Sequence, residues 1–252
     1  MKDAFFNDDG YRKYFFGFLI VVVFFIILLV FIFNKKTSYL IINESSIIAK
    51  KGSKISQLDY VNDKMFEDKY NVFSDGNVYE NVTIKNESLV WYYFDDNYKD
   101  LGLTKVSAAY SKEFGKIKVA DYDVSYYDES DNDIIKGVIG DKDISEFKNS
   151  IIKSSYDLDG DGVVETVYTM NNLNLADSNG DYSYIFLVKN NELVNIIETD
   201  SKDSFLIQNI IDLNGDGKFE IIFSKGTNDV VTLDTCIKIY SVKKNKYLLN
   251  CE

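Results

Sequence analysis

The sequence predicts a mostly β protein in which one N-terminal transmembrane helix precedes an antiparallel β ectodomain. Three observations carry that expectation. Short β-branched and aromatic runs recur along the chain with Asn, Asp, Gly and Lys between them, which is the spacing of strands joined by hairpins. A 20-residue run without charge lies near the start. A nine-residue acidic loop is written twice, 55 residues apart, and strand-like residues follow each copy.

Residues 1–13 form a short mixed-charge head. Residues 14–33 (YFFGFLIVVVFFIILLVFIF) hold a single glycine and no charge, enough to cross a hydrocarbon core of about 30 Å as a helix. A soluble buried helix would show a polar face, and this run has none. A signal peptide would show a small-residue cleavage site, and none precedes Asn34, Lys35 and Lys36. Lys2, Arg12 and Lys13 outnumber the two lysines after the span, and a short head before a large C-terminal part is the usual signal-anchor layout. Both put the N-terminus in the cytoplasm and residues 34–252 outside it.

Residues 34–38 read as a linker. Residues 39–105 read as a small β module, with strands at 39–42, 46–49, 71–73, 81–84 and 88–94. Residues 106–252 form a second β domain, the one that carries the acidic loops. Only residues 54–65 and 143–152 look compatible with helix. Aromatic residues at 15 per cent, 19 of them tyrosine, suit half-buried strand faces.

Loop 1 is Asp157-Leu158-Asp159-Gly160-Asp161-Gly162-Val163-Val164-Glu165, and loop 2 is Asp212-Leu213-Asn214-Gly215-Asp216-Gly217-Lys218-Phe219-Glu220. Oxygen side chains at positions 1, 3 and 5 can turn inward around a hard cation, the glycines permit the tight path, and position 9 adds a carboxylate. The expected ligands are Asp157, Asp159, Asp161 and Glu165 with the Val163 carbonyl in loop 1. In loop 2 they are Asp212, Asn214, Asp216 and Glu220 with the Lys218 carbonyl. Ca²⁺ is the expected ion at both sites. An EF-hand would need Glu at position 12 and flanking helices, whereas position 12 is Tyr168 or Phe223 and the flanks are strand-like.

Like charges about 4 Å apart repel by on the order of 4 kcal/mol per pair at an effective dielectric of 20. Metal-free loop 1 should therefore splay, and a bound cation should add to folding stability. Loop 2 has Asn214 in place of one acid and is expected to bind more weakly. Two fainter echoes, residues 128–133 and 177–182, lack glycine at position 6 and read as solvated turns.

These loops resemble those of the FG-GAP and VCBS type repeats, related to the blades of integrin alpha subunits. The mark of that family is an apolar residue before D-x-[DN]-G-D-G-x-x-[DE] and a strand after it, and residues 211–222 fit closely. The chain has no proline, so the Gly-Ala-Pro element of the repeat is absent. In that family the loop binds Ca²⁺ and each repeat is one blade of a β-propeller; the resemblance implies both for residues 150–252. The 55-residue spacing, with strands at 184–188 and 193–197 between the loops, is close to one four-stranded blade. The ectodomain is thus expected to hold blade-like units, a partial β-propeller, beside a different β module. Adhesion does not transfer with the loop.

A net charge of −12 argues against nucleic acid as a partner. The absence of histidine removes Ser-His-Asp and Cys-His pairs and every His-ligated zinc or haem site. A glycosidase needs two carboxylates across a cleft, whereas acids crowded into one turn point at a common centre. Isolated Glu146, Glu192 and Glu198 are what a surface hydrolase would draw on. Cys236 and Cys251 fall on two strands of a C-terminal hairpin, where a disulfide and two free thiols both fit the pattern. Residues 91–94 (WYYF) read as a core strand or a partner-facing one. The expected function is that of a membrane-anchored, extracytoplasmic calcium-binding β protein with a binding or envelope-structural role. Its expected partners are the membrane and a protein or glycan ligand outside the cell, and a surface hydrolase is the alternative.

Overall fold

The computed structural model describes residues 17–27, 36–88, 90–144, 147–174, 181–201, 203–227 and 235–251. The first sheet is built from β1 (Ser38–Ile42), β2 (Ser46–Lys51), β3 (Lys54–Leu58), β4 (Tyr70–Ser74), β5 (Asn77–Glu87), β6 (Val90–Phe94) and β7 (Val106–Ser111). Their order is β3-β2-β1-β7-β4-β5-β6. Two short strands follow, β8 (Lys118–Val119) and β9 (Asp123–Tyr126). Next come two four-stranded meanders. One is β10 (Ile151–Tyr156), β11 (Glu165–Asn174), β12 (Asp181–Lys189) and β13 (Glu192–Asp200), extended beside β10 by β9. The other is β14 (Asp203–Asp212), β15 (Glu220–Thr227), β16 (Thr235–Ser241) and β17 (Lys246–Leu249), extended beside β14 by β8. All pairings are antiparallel, and none of these sheets closes into a barrel.

The sheets stack because alternate residues of each strand are apolar on both faces. β1 shows the rule in five residues: Tyr39 and Ile41 enter one core, while Leu40 and Ile42 enter the next. That second core joins the first sheet to the β14–β17 sheet through Ile211, Ile222, Ile237 and Ile239. Ile221, Phe223 and Tyr240, from the opposite face of the β14–β17 sheet, meet Val167, Ile185 and Leu187 of the β10–β13 sheet in a third core. The outer face of the β10–β13 sheet carries Tyr168, Met170, Phe186 and Val188 and is covered by helix α2 (Asn132–Ile139) through Ile134, Ile135 and Ile139.

Beside the third core runs a charged seam. Glu198 of β13 accepts from Lys238 of β16 at 2.6 Å, from the Tyr247 hydroxyl of β17 at 2.7 Å and from Lys225 of β15 at 3.3 Å. Burial alone would push its carboxyl up; these donors outweigh it and hold Glu198 below the usual carboxylate range.

Several expectations need correcting. Residues 54–65 are not helical: 54–58 are edge strand β3, and only Asp63–Glu67 make a short 3-10 turn. Residues 143–152 hold one 3-10 turn at Lys148–Ser150 and then enter β10, with 145–146 outside the described residues. The acidic stretch 128–133 is no solvated turn. Asp128 caps a 3-10 turn that leads into α2, and buried Asp131 accepts from Lys153 and the Tyr168 hydroxyl. Of the other echo, 177–182, residues 177–180 lie outside the described residues and 181–182 begin β12. The first sheet also runs past residue 105, since β7 sits at its centre between β1 and β4. Residues 91–94 are packed: Trp91 donates to the Glu44 carbonyl at 2.8 Å and buried Tyr93 to the Glu44 carboxylate at 2.7 Å.

Residues 17–27 form helix α1 with its apolar side chains exposed. Among the described residues no helix is long and apolar enough to cross a membrane, and residues 14–16 and 28–33 of the expected span lie outside them. After the uncharged run, Lys36 pairs with buried Asp68 and with Glu113, tying this part of the chain to the first sheet.

Cys236 and Cys251 are joined in a disulfide, with their Cα atoms 5.8 Å apart and a sequence separation of 15. A loop of that size restricts the unfolded chain enough to stabilise the fold by about 3 kcal/mol. Cys251→Ser, or full reduction of the wild type, is expected to lower the denaturant midpoint accordingly. An unchanged midpoint would mean that backbone pairing alone holds the last hairpin.

Candidate metal centre

Loop 1 connects β10 to β11, and loop 2 connects β14 to β15, so each occupies the first turn of its meander. Their backbones follow one path. Gly160 and Gly215 at position 4 both have φ 72°, and Gly162 and Gly217 at position 6 have φ 88° and 79°. Only glycine adopts that region without strain.

The first carboxylate of each loop is a hub for the turn. Asp157 accepts from the N–H groups of Gly160 (2.8 Å), Asp161 (3.1 Å) and Gly162 (3.0 Å). Asp212 accepts from those of Asn214 (3.2 Å), Gly215 (2.6 Å), Asp216 (3.2 Å) and Gly217 (2.8 Å). Position 3 accepts from the N–H of position 5, at 3.1 Å for Asp159 and 2.9 Å for Asn214. Position 5 accepts from that of position 7: Asp161 from Val163 at 2.9 Å, Asp216 from Lys218 at 3.0 Å. The last glutamate closes the ring on position 2, Glu165 from Leu158 at 2.7 Å and Glu220 from Leu213 at 3.1 Å. At Val163 and Lys218 these bonds use the N–H, and the carbonyl oxygens expected as ligands take no part in them.

One oxygen each of Asp157, Asp159 and Glu165 lie within 4.8 Å of one another. Ligands of one calcium-sized ion stand 2.3–2.6 Å from it, roughly 5 Å apart at most, so this donor set fits a single hard cation. Loop 2 has the same backbone but a neutral Asn214, and among the described residues no second group of three acids converges so closely.

Two lysines enter the site that the sequence did not single out. Lys189, at the end of β12, stands directly across the ladder from Glu165. Its ammonium lies 2.8 Å from Asp159 Oδ2 and 2.7 Å from Asp161 Oδ2, and it also contacts Glu165 Oε1. Lys243 reaches Asp216 Oδ2 at 2.8 Å from the last hairpin turn. An opposite-charge pair across two strands was the available signal, because Lys189 follows directly on the strand read at 184–188.

These contacts set the electrostatics. The carboxylates of Asp159, Asp161 and Glu165 hold Lys189 well above the ordinary lysine range. Lys189 and then the Val163 N–H depress Asp161; Lys243 chiefly depresses Asp216. Glu220 moves the other way: burial, then the charges of Asp212 and Asp216, raise its carboxyl against the pull of the Leu213 N–H.

The loops also touch each other. The Phe219 N–H of loop 2 donates to the Leu158 carbonyl of loop 1 at 2.8 Å, and the Tyr156 and Phe219 rings meet edge to face at 4.7 Å. Gly160 packs so closely on loop 2 that a Cβ would lie 2.9 Å from the Gly217 carbonyl oxygen, whereas a Cβ on Gly162 would meet nothing. Of the isolated acids, Glu198 is bound in the charged seam, Glu192 pairs across the hairpin turn with Lys189 in the ladder, and Glu146 lies outside the described residues.

Gly162→Ala is expected to destabilise the fold by about 1–2 kcal/mol, the cost of a left-handed Cβ alone. Gly160→Ala should cost clearly more, because it also forces the loops apart; equal losses in denaturant melts would contradict the inter-loop packing. Acid supplies a second test. The depressed carboxyls of Asp161 and Asp216 stabilise the fold above the ordinary value of about 3.9, and that gain is lost as pH falls through their folded values. Raised Glu220 has the opposite sign and recovers stability as pH falls toward about 4.3. The metal-free melting temperature should fall below about pH 4, less steeply in Lys243→Gln; a level profile would mean that these ion pairs do not form.

No protein-family model matches this chain, and no curated protein and no solved structure matches it.

Proposed function

We propose that this chain is a single-pass, membrane-anchored protein whose β domain lies outside the cytoplasm and holds Ca²⁺ in two inter-strand loops, in a binding or envelope-structural role. The observation that carries this reading is the convergence of Asp157, Asp159 and Glu165 in a loop whose backbone path loop 2 repeats. An all-oxygen, acid-rich donor set favours a hard cation over zinc or copper. Bound there, the ion supplies the positive charge that lets the carboxylates stay together. Asp157, Asp159, Asp161 and Glu165 would hold it in loop 1, and Asp212, Asn214, Asp216 and Glu220 in loop 2. The bond from Phe219 to Leu158 carries that stiffening from one sheet to the next.

Two face-packed meanders, each with its acidic loop after the first strand, support blade-like repeats of the FG-GAP and VCBS type. Anchoring rests on the uncharged residues 14–33, of which 17–27 are helical with exposed apolar side chains. The disulfide suits an oxidising compartment, and so a β domain outside the cytoplasm. A protein or glycan ligand is the partner this role implies. The hydrolase reading has less support, because Glu198 is held ionised by two lysines and a tyrosine and so lacks the proton a general acid must give.

The test is thermal melting of the full-length chain in detergent, with calcium and with chelator. Calcium at 100-fold its dissociation constant should add about 2.7 kcal/mol per filled site, several degrees of melting temperature for a chain of this size. Asp157→Ala and Asp212→Ala should each remove part of the rise, and the double variant all of it. Identical melting of the wild type in both conditions would end the calcium reading.

A further inference from the structure

We propose that the Lys189 ammonium is a tethered cation standing in the metal position of loop 1, so that calcium fills loop 2 first and enters loop 1 only by displacing Lys189. This inference rests on the calcium reading above and reverses the order of affinities that the acid count suggests.

The case is an inventory of oxygens. In loop 1 the backbone takes both oxygens of Asp157 together with Asp159 Oδ1, Asp161 Oδ1 and Glu165 Oε2, leaving Asp159 Oδ2, Asp161 Oδ2 and Glu165 Oε1 without a backbone partner. Those three remaining oxygens are the ones that Lys189 holds. The ammonium is compact, carries three donors and sits at the end of a paired strand opposite Glu165, so it is delivered by a short, ordered tether. Its side chain is only 21 per cent exposed.

Loop 2 differs at the corresponding position. The residue across the ladder from Glu220 is Ser241, whose hydroxyl approaches Glu220 Oε1 at 3.4 Å. That carboxylate is buried, at 3 per cent exposure, and among the described residues no ammonium forms an ion pair with it. Lys243 touches Asp216 alone, from the rim, with its side chain 52 per cent exposed. A cation entering loop 2 therefore displaces one solvated contact, whereas a cation entering loop 1 must break three charge-assisted ones.

Calorimetric titration of the full-length chain in detergent with calcium tests this, using wild type, Asp161→Asn, Asp216→Asn and Lys189→Gln. In the wild type the tighter phase should survive Asp161→Asn and be lost in Asp216→Asn. Lys189→Gln should tighten the weaker phase by about tenfold or more, or make it appear where none was seen, and leave the tighter phase as it was. A tighter phase lost in Asp161→Asn, two equal sites in the wild type, or no change in Lys189→Gln would overturn the role of Lys189 and leave the calcium reading standing. No binding by any form would remove the calcium reading itself.

Amine acetylation of the wild type, read by peptide mass spectrometry, gives the answer even if Lys189→Gln does not fold. Lys189 should be protected in chelator and react once loop 1 is filled at high calcium. Reaction in chelator at the rate of Lys243 would overturn the proposal.

Discussion

Four carboxylates, those of Asp157, Asp159, Asp161 and Glu165, share one nine-residue turn, and that turn keeps its shape only with positive charge among them. Backbone N–H groups supply the first part of it. Seven hydrogen bonds within the two loops end on Asp157 and Asp212 alone, so the acids at position 1 organise the path before any cation is considered. What the N–H groups cannot reach is the set of oxygens on the inner side. At about 4 Å and an effective dielectric of 20, each uncompensated pair there would cost on the order of 4 kcal/mol, comparable with the whole stability of a marginal domain. Lys189 meets that demand.

The consequence reaches beyond the loop because of where it sits. Leu158 is fully buried in the core between the two meanders, and its carbonyl accepts from Phe219 of the neighbouring loop. Phe219 lies in the same core and stacks edge to face on Tyr156, the last residue of β10. A loop that splayed would pull Leu158 and Tyr156 away from their partners and open the third core from its end. Charge balance in an exposed turn is thus coupled to the packing of two sheets. The charged seam of Glu198, Lys238, Lys225 and Tyr247 ties the same two sheets through other strands, so the stack does not hang on the loops alone.

What was legible in the sequence follows the range of each interaction. The antiparallel β character, the strand–loop–strand setting of both acidic turns and the C-terminal hairpin with its cysteines come from alternation and local turn chemistry, which a linear pattern carries. β3 was missed because its residues, KISQL, lie on an edge with no buried face, so pairing with β2 rather than alternation makes them a strand. α2 was missed because eight residues give barely two apolar turns, and their acidic start resembles a loop. β7 was assigned to the wrong side of a boundary because its place between β1 and β4 is a long-range pairing. Within the site, the acids were visible as a spacing. Lys189 was not, since its role depends on the register of a strand 24 residues from Glu165 in sequence.

The choice of lysine as the interior cation has its own logic. Every ion pair among the described residues uses lysine, and the chain's one arginine, Arg12, lies before the uncharged run. Guanidinium is a planar fork suited to gripping one carboxylate with two parallel bonds. The oxygens of Asp159, Asp161 and Glu165 instead come from three residues and surround a point, which a small ammonium with three donors can fill much as an ion would. The same geometry recurs at Lys153, which bridges Asp128 and Asp131, and at Lys225, which bridges Glu198 and Asp200. In this acidic chain, converging carboxylates are repeatedly met by a single ammonium from a neighbouring strand. Among the described residues, only in loop 1 does that arrangement coincide with a cage that a free divalent ion could also fill.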